Sequence, residues 1–204
     1  MKKIILLFLI ISSVSCNKKN IEENAKNYLN EGIQKYDLKD YQGAIVKFTK
    51  AIELKPDFSD AYNGRGKAKS YINDDQGAIE DLTKAIELNP NYSEDYYFRG
   101  ISKFHLKDLE GAIIDFTEAI ELRPDYYFAF TYRGSAKGLL QDYKEAIKDY
   151  NKAIELNPDF GDAYTGRGVC NAFLGNRNEA CIDWSKGAQL GSKEAEELIR
   201  ESCN

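Results

Sequence analysis

The sequence predicts an all-α fold built from stacked helix pairs, and three observations support this prediction. The four prolines lie 34 residues apart, at Pro56, Pro90, Pro124 and Pro158. Each proline ends nearly the same phrase: AIELKP, AIELNP, AIELRP and AIELNP. Between them, apolar residues recur near the helical period and no strand pattern intervenes. Self-similarity at a fixed period of roughly 20 to 50 residues indicates a repeat architecture.

Small and large residues alternate at fixed places in each period. With the proline at repeat position 32, five repeats follow one another: 25–58, 59–92, 93–126, 127–160 and 161–194. Each has an aromatic residue at position 4, glycine at position 8, alanine at position 20 and a large apolar residue at position 24. Small residues allow two helices to approach closely, and the large ones fill the space between them.

The same register predicts the ends of the helices and a wider packing surface. The proline ends the second helix of each pair. The Asp or Asn after it, such as Asp57 or Asn91, is expected to cap the next helix. Apolar residues at positions 14, 21, 28 and 30 (Leu38, Ile45 and Ile52 among them) are expected to complete the apolar stripe.

This pattern of aromatic, glycine, alanine and proline resembles the tetratricopeptide repeat (TPR) family over residues 25–194 of the 204-residue chain. The resemblance implies a right-handed α-solenoid of five TPR helix pairs. Two positions depart from the usual TPR pattern: position 7 is arginine in repeats two to five, and position 11 is mostly lysine. The fifth repeat has Ser192 instead of proline, and the residues that follow predict a capping helix over 192–204, which would cover the last apolar face.

Groups that could perform catalysis or bind metal are few. The single histidine, His105, has no serine or cysteine nucleophile beside it, and no glycine-rich phosphate loop follows a strand. Cys170, Cys181 and Cys203 lack the short paired spacing of zinc sites. We therefore expect a non-catalytic protein without metal, cofactor or small-molecule substrate.

The charge excludes another class of partner. The formal net charge is −5, and it becomes −7 if residues 1–15, which contain two lysines, are removed. Affinity for nucleic acid comes largely from clustered lysine and arginine, which this chain lacks. We expect a protein or peptide partner instead.

The TPR resemblance also implies where such a partner lies, because positions 2, 5, 6, 9, 12 and 13 of the first helix line the concave face in that family. The candidate groove residues at these positions are Asn63, Lys67, Tyr97, Phe98, Ile101, Phe104, Thr131, Tyr132, Ser135, Thr165 and Val169. The TPR subtype that clamps chaperone carboxylates needs Lys and Asn at positions 5 and 9 of its first repeat. This chain has Leu29 and Ile33 there, so that subtype is not expected.

The N-terminal residues predict export. Lys2 and Lys3 precede an apolar run and small residues, which is the pattern of a signal peptide over 1–15. Cys16 then resembles the lipidated cysteine of bacterial lipoproteins, with residues 16–24 as a lipid-anchored tether. The expected location is the bacterial envelope, as an outer-membrane lipoprotein. A plain signal-peptidase cleavage, giving a periplasmic or secreted protein, is the alternative.

Export would place the remaining cysteines where disulfides persist. Cys181 takes the position that holds isoleucine in the other repeats, and Cys203 lies near the end of the predicted capping helix. We predict a Cys181–Cys203 bond. A Cys170–Cys181 bond and free buried thiols are the alternatives.

Charges at positions 7 and 23 predict a structural ion pair inside every repeat. Repeats two to five have Arg at position 7 and Asp at position 23, whereas repeat one reverses both charges together. The predicted pairs are Glu31–Lys47, Arg65–Asp81, Arg99–Asp115, Arg133–Asp149 and Arg167–Asp183.

These observations together predict an interaction scaffold of the bacterial envelope that binds a partner in its groove. Two alternatives remain at this point. One is an assembly or outer-membrane biogenesis factor that captures a specific client, and the other is a self-associating subunit of a complex.

Overall fold

The structure, a computed structural model, describes the backbone of residues 2–203 and the side chains of residues 20–203. The described chain consists of eleven α-helices and no strands. The helices are α1 (Lys2–Asp37), α2 (Tyr41–Leu54), α3 (Ser59–Tyr71), α4 (Asp75–Leu88), α5 (Ser93–His105), α6 (Leu109–Leu122), α7 (Tyr127–Leu139), α8 (Tyr143–Leu156), α9 (Gly161–Phe173), α10 (Arg177–Gln189) and α11 (Lys193–Ser202).

The predicted lipidation residue, Cys16, and the side chains of the predicted signal peptide lie outside the described residues. From the predicted tether, residues 20–24 continue α1 with exposed side chains up to the buried Ala25. None of the helices, as far as the chain is described, has an apolar stretch long enough to cross a membrane.

The chain divides into two compact units, Met1–Pro90 and Asn91–Asn204, called unit 1 and unit 2 below. In unit 1, α1 pairs with α2 and α3 pairs with α4, while α2 packs against α3. In unit 2, the pairs are α5–α6, α7–α8 and α9–α10, and the second helix of each pair packs against the next helix. Consecutive helix pairs of this kind are the packing of a TPR solenoid. Odd-numbered helices up to α9 are therefore the first helices of the repeats.

The glycines at position 8 allow the two helices of a pair to touch. A Cβ atom on Gly100 would lie 2.7 Å from the Phe116 ring, and one on Gly32 would lie 2.6 Å from the Phe48 ring. Both rings are buried. Any larger side chain would therefore displace a core aromatic residue.

The turn within each pair contains a residue in the left-handed region. Position 15 has a positive φ in all five repeats, at Lys39, Asn73, Lys107, Gln141 and Gly175. In repeats one to three the next residue is an aspartate whose carboxylate accepts a hydrogen bond from the backbone N–H three residues later. This carboxylate caps the second helix of the pair.

Two expectations about local structure are wrong. Asp57 and Asn91 do not cap the first helices; the N-cap residues are the aromatics one position later, such as Phe58 and Tyr126. The rings of Phe58 and Tyr126 are buried in the core, and their packing sets where α3 and α7 begin, whereas Tyr92, the N-cap residue of α5, is 51% exposed. Position 14 is also not a core position, because it lies at the end of the first helix, where Leu38 is 80% exposed.

Helix α11 closes unit 2 by packing against α10. Ser192 is its N-cap residue and accepts a hydrogen bond from the N–H of Ala195. Ala195 is buried in a cluster with Trp184. A disulfide joins Cys181 of α10 to Cys203 at the end of α11, with the two Cα atoms 5.8 Å apart. The capping helix is thus fixed at both ends.

Candidate partner-binding groove

In unit 2, the first helices of the last three repeats lie side by side, with α5 against α7 and α7 against α9. A cavity of about 410 Å³ lies along them. Six of the predicted groove residues line it: Phe104, Thr131, Tyr132, Ser135, Thr165 and Val169. The structure therefore brings these positions from three repeats into one concave site.

Three predicted groove residues of repeat three are packed in the protein instead. Tyr97 and Ile101 belong to the core of unit 2 and are only 8% and 9% exposed. Phe98 packs its ring edge against Tyr97, with the ring centroids 5.2 Å apart. Little of Tyr97 or Ile101 could contact a partner, so their main role is to support the helix that carries Phe104.

The predicted groove residues of unit 1, Asn63 and Lys67, are both half-buried. Lys67 Nζ lies 6.0 Å from the centroid of the Tyr36 ring. Tyr36 belongs to an aromatic cluster with Tyr41 and Tyr71, in which Tyr41 and Tyr71 stack at 4.8 Å. Tyr36 lies at groove position 12 of repeat one and Tyr71 at groove position 13 of repeat two. The TPR groove positions alone could therefore have identified both residues.

The walls of the cavity are neutral where they are deepest. The hydroxyl groups of Ser135 and Tyr150 are 3.0 Å apart and hydrogen-bonded. Burial raises the pKa of the Tyr150 hydroxyl far above its usual value. Burial likewise raises the pKa of the Cys170 thiol to about 11. Both groups are protonated at neutral pH, so the deep part of the site suits an uncharged side chain.

The mouth of the cavity exposes apolar surface. Leu139 is 55% exposed and Phe173 is 67% exposed, and both line the site. The Phe173 ring stacks on Tyr143 at a centroid distance of 4.9 Å. Exposed apolar residues that adjoin a concave site are typical of protein interaction surfaces.

The structure brings together all five charge pairs that the sequence predicts. The shortest N–O distances are 2.5 Å for Glu31–Lys47, 2.7 Å for Arg65–Asp81, 2.7 Å for Arg99–Asp115, 2.6 Å for Arg133–Asp149 and 2.6 Å for Arg167–Asp183. The arginines bind both carboxylate oxygens, for example through Nε and Nη2 of Arg133. These bidentate pairs join the two helices of a repeat.

The sequence reasoning missed two further partners of these pairs. In repeats two to four, the lysine at position 11 supplies a second cation to the same aspartate, as in the 2.8 Å contact between Lys103 and Asp115. The remaining arginine nitrogen reaches position 25 of the preceding repeat, as in the bond from Arg133 to Thr117. The available signals are lysine at position 11 in repeats one to four and a polar residue at position 25 in all five, but neither residue type specifies its partner.

Repeat one shows how the network adapts to the reversed charges. Lys35 at position 11 would face Lys47, a like charge, in the usual arrangement. It bonds instead to Asp40, at 2.7 Å. In repeat one, the reversal of charge at positions 7 and 23 is therefore accompanied by a change in the partner of the lysine at position 11.

His105 is exposed at the end of α5 and does not line the cavity. Its ring centroid lies 6.5 Å from that of Phe104, which does. Within the part of the chain that the structure describes, no three His, Cys, Asp or Glu side chains are placed to hold a metal ion.

Comparison with protein families matches the tetratricopeptide repeat to residues 127–160 and to residues 59–92 and 96–126. A further TPR repeat family matches residues 32–70. Together these matches cover more than half of the chain. The protein belongs to the tetratricopeptide repeat family, and its fold is that of a protein-interaction scaffold. Comparison with curated proteins gives no match.

Solved structures agree with this assignment. A crystal structure of MamA protein is 28% identical, with a TM-score of 0.74 over 88% of this chain and 95% of that chain. The crystal structure of YrrB, a TPR protein with an unusual peptide-binding site, is 23% identical in sequence, with a TM-score of 0.74 over 89% of this chain and 96% of that chain. PilF of Pseudomonas aeruginosa has the same fold at 19% sequence identity, with a TM-score of 0.76 over 88% of this chain and 82% of that chain.

Proposed function

We propose that this protein is a non-catalytic scaffold of the bacterial cell envelope that holds a segment of a partner protein in the cavity of unit 2. The observation that supports the proposal most strongly is the convergence of six predicted groove residues from three repeats on one site of about 410 Å³. Sites of this size accommodate several side chains of a partner.

The charged residues that join the helices are distinct from the residues that line the cavity, and this distinction also supports binding in the groove. The basic and acidic residues at positions 7, 11 and 23 are bound to one another, as in the Arg133–Asp149–Lys137 group. Their role is to fix the angle between helices. The cavity residues, in contrast, leave apolar surface open at Leu139 and Phe173.

The envelope location rests on the N-terminal sequence. Lys2, Lys3 and the apolar run after them have the composition of a signal peptide, and Cys16 follows small residues as a lipidation site would. A lipid anchor with two or more acyl chains would hold the TPR units stably at a membrane surface. The partner would then be another envelope protein.

Gly138 offers a variant that tests groove binding. It lines the cavity, and a Cβ atom added there would meet only the Cys170 Sγ, at an ordinary contact distance of 3.5 Å. Gly138→Phe should therefore fill the cavity while the fold is retained, and Gly138→Ala is the matched control. Full-length tagged proteins would be purified from detergent-solubilised envelopes and their co-purified proteins quantified by mass spectrometry.

We expect the partner to co-purify with the wild type and with Gly138→Ala, and to be lost with Gly138→Phe. A single stoichiometric protein in this set would identify the scaffold as an assembly factor for one client. Recovery of a second copy of this chain would indicate self-association. Equal recovery of the partner with Gly138→Phe would contradict groove binding.

A further inference from the structure

The rim of the cavity in unit 2 is acidic. Asp162, in the first turn of α9, and Glu194, in the first turn of α11, line the site. They are the charged side chains of its lining within the described chain, and both are exposed. Neither forms an ion pair with a described residue.

The cations of the neighbouring helix are bound elsewhere. Arg133 and Lys137 of α7 both bind Asp149, at 2.6 Å and 2.7 Å. No described lysine or arginine lines the cavity. The rim therefore carries two negative charges that no lysine or arginine among the described side chains neutralises.

The capping helix α11 contributes the second acidic residue of this rim, Glu194. Its N-cap hydroxyl, Ser192 Oγ, lies 3.0 Å from Thr165 Oγ1, which is itself part of the cavity lining. The disulfide between Cys181 and Cys203 holds the far end of the same helix. These two contacts hold α11 in place, so that Glu194 lines the same cavity as Asp162 of α9.

The shape of the site favours a chain-like occupant. Its lining comes from several helices, with Phe104 on α5, Thr131 to Leu139 on α7, Tyr143 and Tyr150 on α8, Asp162 to Phe173 on α9 and Glu194 on α11. An extended peptide, which rises about 3.3 Å per residue, can contact several of these helices at once.

We propose that the occupant is an extended peptide segment that combines a large apolar side chain with a lysine or arginine a few residues away. This inference rests on the proposed function and names the chemistry of its partner. The apolar side chain enters the cavity beside Val169 and Phe173. The cation lies between Asp162 and Glu194, where charge-assisted hydrogen bonds fix the direction of the peptide.

Peptide selection on the full-length protein in detergent tests the proposal. The probe is a phage-displayed library of random dodecapeptides. We expect the enriched sequences to contain Lys or Arg within about three residues of Leu, Ile, Met, Phe, Tyr or Trp. One enriched peptide is then synthesised with both ends blocked, and its binding is measured at low and high salt.

The double variant Asp162→Asn/Glu194→Gln removes both rim charges without changing side-chain size. It should weaken binding of the peptide about tenfold, as loss of hydrogen bonds to charged groups does, and should reduce the salt dependence. The control is Glu110→Gln/Glu179→Gln, which makes the same change in charge at exposed first-turn positions of the second helices α6 and α10. We expect less than a twofold effect from it.

Other outcomes separate this inference from the proposed function. Enrichment of acidic sequences, or equal weakening by both double variants, would overturn the basic-peptide proposal. If Gly138→Phe abolishes binding while neutralising the rim has no effect, the cavity binds peptides but not through these charges. If no sequence is enriched, or Gly138→Phe leaves binding unchanged, the proposed function fails as well.

Discussion

At the scale of single residues, the charged groups at positions 7, 11 and 23 act as a repeated clamp between two helices. The aspartates at position 23 are nearly buried; Asp115, for example, is 1% exposed. A buried carboxylate is costly unless cations and hydrogen bonds compensate it. Arg99 and Lys103 provide that compensation.

Reversal of one charge should therefore destabilise the protein strongly. Arg99→Glu would place a second carboxylate beside Asp115, and we expect a loss of about 3 kcal/mol or more in the free energy of unfolding. Adding Asp115→Lys recreates the arrangement of repeat one, in which Lys103 can bind Asp108 as Lys35 binds Asp40. The double variant should recover more than half of the loss in urea unfolding experiments.

The control for this prediction is an exposed pair. Lys84 and Glu87 of α4 are bonded at 2.9 Å with side chains about half exposed. Swapping their charges should change the free energy of unfolding by no more than about 0.5 kcal/mol. A coupling energy between Arg99 and Asp115 as small as that of this exposed pair would contradict the clamp.

The clamp shows what a single sequence can reveal about contacts. The five pairs were predictable because repeat one reverses both charges, which acts as an internal comparison among copies. The third partner at position 11 was not predicted, because nothing in the residue types distinguishes a lysine that shares a buried aspartate from one that is solvated. Only the distance from Lys103 to Asp115 decides it.

At the scale of helices, the glycines of α5 and α7 differ in what surrounds them. Gly100 faces the buried ring of Phe116, whereas Gly138 faces the cavity and has only Cys170 Sγ nearby, at 3.5 Å. Gly138→Ala should stabilise the protein by about 0.5–1 kcal/mol, because alanine favours the helix. Gly100→Ala should destabilise it by about 1–3 kcal/mol, because the ring must move.

Thermal or urea unfolding of the two variants tests this difference directly. Gly100 lies in the middle of α5 and Gly138 in the last turn of α7, so the gain in helix propensity is no larger at Gly138 and a more favourable result there reports its surroundings. Destabilisation by Gly138→Ala would mean that α7 is packed more tightly than the cavity implies. It would also remove Gly138→Phe as a selective probe of the groove.

The turn between the paired helices offers a second test at this scale. Gln141 has φ 65°, and the equivalent residue in repeat five is Gly175, with φ 84°. A non-glycine residue in this region costs about 1 kcal/mol. Gln141→Gly should therefore stabilise the protein by several tenths of a kcal/mol or more, as measured by chemical denaturation. Destabilisation would show that the Gln141 side chain contributes more than the turn strain costs.

The capping helix depends on the disulfide in a way that can be measured. Cys181→Ser/Cys203→Ser should cost roughly 3 kcal/mol in the chain-entropy account, because the bond closes a loop of 22 residues. It should also increase the proteolytic sensitivity of α11 more than that of α9.

Thiol reactivity tests the disulfide itself. In denatured, unreduced protein, Cys170 should react with thiol reagents, whereas Cys181 and Cys203 should become reactive only after reduction. Reactivity of all three before reduction would exclude the bond.

The helix ends were harder to predict than the helices. The proline period predicts the helix pairs correctly, but the N-cap residues of the first helices are the aromatic residues one position after the predicted Asp or Asn, such as Phe58 instead of Asp57. Cap preferences describe isolated helix ends, and at α3 and α7 burial of the Phe58 and Tyr126 rings overrides them. The helical period of apolar residues predicts Leu38 as part of the apolar stripe, but its place just after the end of α1 leaves it exposed.

At the scale of the whole molecule, the repeat pattern determines the fold class and the register of the groove positions. It does not determine whether those positions form a cavity. The cavity depends on local size, since Gly138 lies at position 12, where repeats one and three have Tyr36 and Phe104, and Gly166 lies at position 6, where repeats three and four have Phe98 and Tyr132. Its acidic rim depends on α11, which is not a repeat. The sequence therefore predicts which positions could form a groove, and the structure shows that those of unit 2 line a cavity with an acidic rim.

The central claim is that a partner occupies the cavity of unit 2. Site-specific photo-crosslinking in the living cell tests it most directly, with benzoylphenylalanine introduced in place of Phe173 or Ile114. The two residues are similarly exposed, at 67% and 62%, but only Phe173 lines the cavity. We expect a discrete crosslinked product from position 173 and none from position 114. Equal products from both positions, or a product from position 114 alone, would contradict the account.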